Sequence, residues 1–358
     1  MSLSLSGMPL QEVNVWAAIL IVSFLTLPLL GFLVDRWPSL RKAREARGFQ
    51  KTWVLAMLFS SYALLVPALG LRLFNLLIGV LDAMTLYETT ESMLELIKQL
   101  WKDQVFLGAV LIAIFAIAIP LLKLTMLLAG ETMRGGRPKL AHKLLSFVQA
   151  ISKWACPDMF AYILLSYLVK HMDHSPTLNG LFHLDLGFTC YALFCLGSTI
   201  SSLGMQLPKL ADKVSEAPLP KSRFASLMLM AAIFVASFAA GLVWPCMALR
   251  LDIGLLVERG TIPESLAVMA VDQLHLPELA KADVTIPQCI ALLADFSKGF
   301  DLNSLLALLM LAVFVFAVTI LDMMALLIAA LQSMRGNMHS CNAFVISQKL
   351  NKLAMLDV

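Results

Sequence analysis

The sequence predicts an all-α polytopic membrane protein, and three observations carry this prediction. Hydrophobic residues make up 59% of the 358 residues and charged residues only 14%, whereas a soluble domain is about 25% charged. Seven apolar stretches are long enough to cross the hydrocarbon core, which takes about 20 helical residues. Lys and Arg collect in alternate loops. The net charge of +3, without a basic stripe, excludes nucleic acid as a partner.

The apolar stretches give the expected order of membrane helices. They cover residues 13–34, 53–73, 105–130, 151–169, 184–207, 224–249 and 302–331. We expect the first to be a retained helix rather than a signal peptide, because it is long and its positive charges follow it. Residues 89–102 and 286–298 are too short or too polar to span. The apolar spacing in 89–102 predicts a helix lying in the membrane interface, with an ordinary loop helix as the alternative.

The distribution of charge predicts the orientation in the membrane. Lys and Arg lie in the loops after the first, third, fifth and seventh helices, within residues 36–51, 134–143, 209–223 and 335–352. The two longest intervening loops are acidic. Because short loops rich in Lys and Arg stay in the cytoplasm, we expect the amino terminus outside and the carboxyl end in the cytoplasm.

An internal repeat divides the chain. VPALGLRL, with Pro67, matches WPCMALRL, with Pro245, at an offset of 178 residues, and IPLLKL at 119–124 matches VTILDM at 318–323 at an offset of 199. SKWACPDM at 152–159 matches NKLAMLDV at 351–358 at the same second offset. The longer outer loop of the second half absorbs the difference between the offsets.

The repeat predicts two parallel four-helix units, because an even number of crossings returns the chain to the side where it started. We expect an N-terminal transmembrane helix with a basic loop at residues 1–50, a first unit at 51–215 and a second unit at 216–358. The second unit stops where its third helix would begin, so we expect it to be truncated.

The residues that carry the repeat resemble the paraquat-inducible protein A family. The resemblance rests on PLLKL late in a long helix, with Pro120 and Lys123, and on Asp-Met-Phe from Asp158 onward. It implies an integral protein of the bacterial inner membrane that handles membrane lipids beside a periplasmic MCE-domain partner and supports envelope integrity. The amino terminus would then be periplasmic. The cysteine-rich zinc ribbons typical of that family are absent from this sequence, so the resemblance implies no metal.

Two other functions stay open beside lipid trafficking: a membrane scaffold without transport activity, and a proton-coupled carrier of a small solute. A scaffold does not need charged residues at membrane depth, and a small-solute carrier is expected to have paired broken helices. The sequence has no nucleophile elbow, phosphate loop or dinucleotide fingerprint. We therefore expect neither enzymatic activity nor a cofactor.

Ionisable residues at membrane depth are the candidate functional residues, because their insertion is costly. Lys123 and Asp158 lie at similar predicted depths, so we expect an ion pair between neighbouring helices. Asp322 takes the place of Lys123 in the second unit, and Thr319 takes the place of Pro120. Repeat symmetry puts Asp357 beside Asp322, where two carboxylates would share a proton and form a polar relay. Neutralisation by Lys349 or Lys352 is the alternative.

Prolines, cysteines and histidines complete the candidates. Pro67, Pro120 and Pro245 predict helix kinks. None of the six cysteines is spaced as CxxC, so we expect small buried apolar side chains rather than a metal site. One outer loop holds several metal-ligating residue types, which we expect to be solvated loop residues and not a metal site: His171, Asp173, His174, His183 and Asp185.

Overall fold

The protein is a bundle of apolar helices with short strands at one end. The computed structural model describes residues 10–39, 49–80, 84–151, 159, 161–165, 169, 178–206, 221–245, 247–250, 281–297 and 301–334. Five helices within these ranges are long and apolar enough to cross a membrane. The prediction of a mainly helical, multi-pass membrane protein is confirmed.

The described helices follow the order of the apolar stretches. They are α1 (Leu10–Arg36), α2 (Thr52–Gly70), α3 (Met93–Lys102), α4 (Phe106–Thr132), α5 (Pro138–Ile151), α6 (Leu186–Gly204), α7 (Lys221–Val243), α8 (Ile286–Ser297) and α9 (residues 302–334). The predicted helix at 151–169 falls largely outside the described residues, and only its stretch 161–165 is described as continuous helix.

Short strands occupy one end of the bundle, where the sequence had predicted only helices and loops. The strands β1 (Arg72–Val80), β2 (Met84–Ser92) and β3 (Leu178–Leu184) form an antiparallel sheet in the order β2-β1-β3. A second antiparallel pair joins β4 (Met247–Arg250) to β5 (Lys281–Val284). We call this end of the helices the strand end, and the opposite end, where α2 begins and α4 finishes, the basic end.

The predicted interfacial helix begins later than expected, because its first residues belong to the sheet. Residues 89–92 pair with β1, so α3 begins at Met93 instead of at 89. Thr89 and Thr90 are β-branched and favour a strand. Ser92 then caps the helix, with its side chain accepting a hydrogen bond from the Glu95 backbone N–H. The strand therefore ends where a capping box begins.

The helix α6 is the centre of the described bundle. Within its apolar window, 78% of the residues are buried, and α1 and α2 pack against it. Small residues allow this close packing between membrane helices. A Cβ atom on Gly197 would lie 2.6 Å from a ring carbon of Phe24 and would also overlap the Ser61 hydroxyl. The three helices therefore cross around Gly197.

The same order of elements occurs twice along the chain. Helix, strands, amphipathic helix and long helix follow one another as α2, β1–β2, α3, α4 and again as α7, β4–β5, α8, α9. Each long helix contains a π-helical segment, at Ile114–Ala118 in α4 and at Met310–Ala317 in α9. The offset of 199 carries residues 114–118 onto 313–317, inside the second segment. The domain boundaries at 50 and 215 stay predictions.

The three prolines differ in their positions. Pro67 lies inside the last turn of α2, and its carbonyl accepts the Leu71 N–H at 2.8 Å. Pro120 lies two residues after the π-helical segment of α4. Pro245 lies beyond Val243, the last residue of α7. It therefore bounds this helix instead of kinking it, because a proline disfavours helical backbone at the residue before it.

The described cysteines are all buried in apolar surroundings, but they differ in their bonding. Cys190 and Cys289 are free thiols, as expected for small apolar side chains. Cys195 takes part in a disulfide bond. The expectation that every cysteine is a simple core residue is corrected at this position.

Replacing Gly197 with Ala is expected to destabilise the bundle by about 1–3 kcal/mol, because the added methyl group overpacks the crossing of α1, α2 and α6. Gly241→Ala in α7 is the matched control, since a Cβ atom there meets no atom within 4 Å. Thermal unfolding of both variants in detergent compares them. Equal melting temperatures would contradict a tight crossing at Gly197.

Candidate functional site

A buried lysine lies where α2, α4 and α6 meet. Lys123 is only 2% exposed, and its Nζ atom donates a hydrogen bond to the Ser198 carbonyl of α6 at 3.1 Å. One turn earlier, the Tyr62 hydroxyl of α2 donates to the Pro120 carbonyl at 3.1 Å. At 1.5 Å per residue, Lys123 lies about 13 Å before the end of α4 at Thr132. This depth makes the lysine a candidate functional residue.

Hydroxyl groups of α6 surround the lysine's acceptor. The Ser201 and Ser202 hydroxyls donate to the same Ser198 carbonyl, at 3.0 and 2.6 Å. Three side chains thus converge on one backbone oxygen. The Thr199 hydroxyl is also buried, and it has no hydrogen-bond partner within the described ranges. The sequence analysis missed this row because Ser and Thr inside an apolar stretch are common packing residues of membrane helices.

The second half carries its own buried polar residues at the equivalent place. Asp322 is 8% exposed and Thr319 is also buried, both on α9. Among the residues that the structure describes, the Thr319 hydroxyl finds no hydrogen-bond partner. On the same stretch of α9, Phe316 packs against Phe238 of α7, with ring centroids 6.3 Å apart. Asp158 and Asp357 lie outside the described residues, so both predicted pairs stay predictions.

Both buried charged residues follow a π-helical segment at the same distance. Lys123 comes five residues after Ala118, and Asp322 comes five residues after Ala317. Pro120 lacks the N–H that would continue an α-helical ladder. The second segment has Thr319 at that position, so proline alone does not cause the π turn. Single π turns inside helices occur frequently at functional sites, and these two mark both candidate positions.

A polar cluster at the strand end joins the two halves. Asn303 of α9 is fully buried, and its Nδ2 atom donates to the Leu184 carbonyl at 2.8 Å. Its Oδ1 atom accepts from the Thr189 hydroxyl of α6 at 2.5 Å. Asp185 caps α6 by accepting the Leu186 N–H, and the Asn75 amide reaches the same carboxylate at 3.4 Å. Sequence reasoning missed Asn303, whose only signal was an amide opening an apolar stretch.

A second cluster closes the basic end within the first half. The Gln50 side-chain amide donates to the Gln206 carbonyl at 2.8 Å and accepts the Gln206 N–H at 3.0 Å. The Gln50 backbone N–H donates to Glu131 at 2.9 Å. Arg134 donates to the Gln206 carbonyl and lies 3.9 Å from the Glu131 carboxylate. The ends of α4 and α6 and the start of α2 are therefore held together.

The outer-loop residues considered for metal binding have structural positions where they are described. His183 lies on β3 opposite Asn75 of β1, and Asp185 is the cap of α6. His171, Asp173 and His174 fall outside the described residues. In the described part of the chain, no three His, Cys, Asp or Glu side chains come together as a metal site.

Comparison with known proteins finds a similarity in the first half of the chain. Residues 49–210 match the family model of paraquat-inducible protein A. This matched region contains Lys123, the hydroxyl row of α6 and the cluster at the basic end. Asn303, Thr319 and Asp322 lie beyond it. No curated protein and no solved structure matches the chain.

Removing one member of the predicted pair Lys123–Asp158 is expected to cost about 3–5 kcal/mol, because it leaves a buried charge without compensation. Lys123→Met and Asp158→Asn together are expected to cost less than the sum of the single changes. A double-mutant cycle on thermal stability measures the coupling. The exposed Lys139 gives the control Lys139→Met, and simple additivity would remove the pair from this site.

The cluster at the strand end gives a second prediction. Asn303→Leu keeps the branching of the side chain but leaves the Leu184 carbonyl and the Thr189 hydroxyl buried without their partner. Each of these two unpaired groups is expected to cost about 1–3 kcal/mol of stability. Combining Asn303→Leu with Thr189→Val is expected to recover part of this loss. Detergent melting curves test both variants. Leu305→Ala, on the exposed side of α9, is the control and is expected to leave stability nearly unchanged.

Proposed function

We propose that this chain is an inner-membrane subunit of an MCE-type lipid trafficking system, which loads or extracts lipid for a periplasmic MCE-domain partner and so supports envelope integrity. The buried Lys123 site, inside the region that matches the paraquat-inducible protein A family model, carries this proposal. A scaffold that only anchors a partner has no need for an ammonium group bound to a backbone carbonyl at membrane depth. The orientation proposed here puts the strand end in the periplasm.

Proton coupling is the second part of the proposal. Asp322 and Thr319 are buried on α9 at the positions that Lys123 and Pro120 occupy on α4. A carboxyl group buried at this depth is able to take up or release a proton when the groups around it change. The π turns before both residues give each long helix a point at which its second part is able to reorient.

The proposed partner contact lies at the strand end. The sheet places β2 at its edge, next to β1 and away from β3. An edge strand presents unpaired backbone groups that another chain is able to extend. This position is on the side that the charge distribution predicts to be periplasmic. A small-solute carrier, the competing proposal, would need no such contact.

Co-purification tests the partner. An MCE-domain protein from the same cells is expected to remain bound to this chain through detergent extraction and size-exclusion chromatography. A polar substitution pair on β2, Thr89→Lys with Tyr87→Lys, is expected to weaken the complex by charging the edge strand. The control also introduces two lysines, through Leu140→Lys with Phe147→Lys on the exposed side of α5. Failure of any MCE protein to bind, together with proton-driven uptake of a soluble solute, would favour the carrier.

Asp322→Asn is expected to preserve folding, because the amide imitates the protonated acid, and to abolish the dependence of lipid movement on the proton gradient. Complementation of the envelope barrier in a strain that lacks this protein measures function, and an uncoupler measures the dependence. Asp283→Asn, at an exposed carboxylate of β5, is the control. Normal, uncoupler-sensitive complementation by Asp322→Asn would make Asp322 a structural residue.

A further inference from the structure

The corner between α3 and α4 is held rigidly at the strand end. Ser92 and Glu95 cap the start of α3 reciprocally: the Ser92 N–H donates to the Glu95 carboxylate at 2.9 Å, and the Glu95 N–H donates to the Ser92 hydroxyl at 3.3 Å. These bonds lower the pKa of Glu95, which keeps the carboxylate charged. At the other end, Gln104 has a φ of 61°, and the Val105 N–H donates to the Leu100 carbonyl at 2.9 Å. The chain therefore turns into α4 at a fixed angle.

One face of α3 is part of the protein core. Met93 is fully buried, and its sulfur accepts a hydrogen bond from the Tyr162 hydroxyl at 3.3 Å. Leu96 and Ile97 pack against the same core cluster. These contacts fix which side of the helix faces outward.

The outward side is apolar and continuous with the surface of a membrane helix. Trp101 is 57% exposed, and its ring meets that of Phe106, the first residue of α4, edge to face at 5.1 Å. Leu107 is 80% exposed. The exposed Val110 and Leu111 continue this surface along α4, a helix of membrane-spanning length. The bilayer that surrounds α4 therefore covers the corner as well.

Two positive charges lie on the same side of α3. Lys98 lies four residues after Leu94 and four before Lys102, and Trp101 lies three after Lys98, so Leu94, Trp101 and Lys102 are all neighbours of Lys98 on the helix surface. Both lysines are exposed, and no hydrogen bond or ion pair with the described residues holds their ammonium groups. The nearby carboxylates have hydrogen-bond partners of their own, since Glu95 binds Ser92 and Asp103 accepts from Gln99 at 3.4 Å, and Lys98 acts on Glu95 only through the attraction of its charge. Lysines beside an interfacial tryptophan extend toward lipid phosphates.

We propose that this corner is a binding site for the headgroup phosphate of an anionic phospholipid in the adjoining leaflet, with Lys98 and Lys102 as the charged groups and Trp101 against the glycerol and upper acyl region. The equivalent helix α8 has no lysine between Ile286 and Ser297, so it lacks a counterpart of Lys98, and Lys298 directly after it is its nearest lysine. The site's role as the point where lipid enters or leaves the protein rests on the proposed function. Binding of the headgroup does not.

Site-specific photocrosslinking tests the proposal with the purified chain alone. A benzophenone amino acid at Leu94, in nanodiscs of phosphatidylcholine and labelled phosphatidylglycerol in equal parts, is expected to capture phosphatidylglycerol. Lys98→Gln with Lys102→Gln is expected to reduce this capture about fivefold or more, because each lysine near an anionic surface adds to the attraction. Lys98→Arg with Lys102→Arg is expected to retain it, and elution in size-exclusion chromatography verifies the folding of every variant.

The control pair is Lys139→Gln with Lys143→Gln on α5, two exposed lysines beyond the basic end, which are expected to leave capture at Leu94 unchanged. Capture of both lipids in proportion to their amounts would overturn the headgroup site. Capture of protein instead of lipid would overturn the membrane contact. Because no MCE partner is present, this measurement tests the headgroup site alone. Headgroup selectivity here, together with no lipid transfer after an MCE-domain protein is added, would count against the proposed function and leave this site intact.

Discussion

A charged group inside the membrane has to find its partners within the protein, and α6 supplies the hydrogen-bond acceptor of Lys123. Its backbone is approached closely by α1 and α2 around Gly197, which requires small side chains. Many of the small residues of α6 are Ser or Thr, so they also bring hydroxyl groups into the core. The Ser198 carbonyl accepts from Lys123 as well as from two of these hydroxyls. Close packing and the binding of a buried cation therefore depend on the same stretch of sequence.

The two long helices bury different ionisable groups at corresponding positions, a basic one in α4 and an acidic one in α9. In each half, the long helix leaves regular α geometry for a π segment and then buries a polar side chain, Lys123 in α4 and Asp322 in α9. A cation is satisfied by carbonyl oxygens and hydroxyl groups, whereas a carboxyl group needs donors or a proton. An exchange of lysine for aspartate at one position therefore changes which hydrogen-bonding groups the surrounding helices have to supply. This difference gives the halves different chemistry within the same order of elements.

Five of the seven predicted membrane helices are found with spanning length in the part of the chain that the structure describes, because a span has a length and a hydropathy that no other element shares. The sequence predicted the burial of Lys123 and Asp322 from their distance to the helix ends. It did not predict the strands, because β1 continues the apolar character of α2 without a period that separates strand from helix. The role of Asn303 was also missed, because its partners on α6 and β3 are more than 100 residues away and a hydrogen bond across the fold leaves no local pattern.

The polar clusters at the two ends of the bundle restrain different movements. The cluster at the basic end joins α2, α4 and α6 through Gln50 and Arg134, so it resists separation of helices within the first half. The cluster at the strand end joins α6 to α9 through Asn303, so it resists separation of the halves.

A reorientation of α9 at its π segment leaves the basic-end bonds intact, because none of them involves α9. It also leaves Asn303 in place, since that residue precedes the π segment. Asp322 follows the segment and would therefore move in such a reorientation. The order of residues along α9 thus separates an anchored part, held by an amide, from a movable part that carries the carboxyl group.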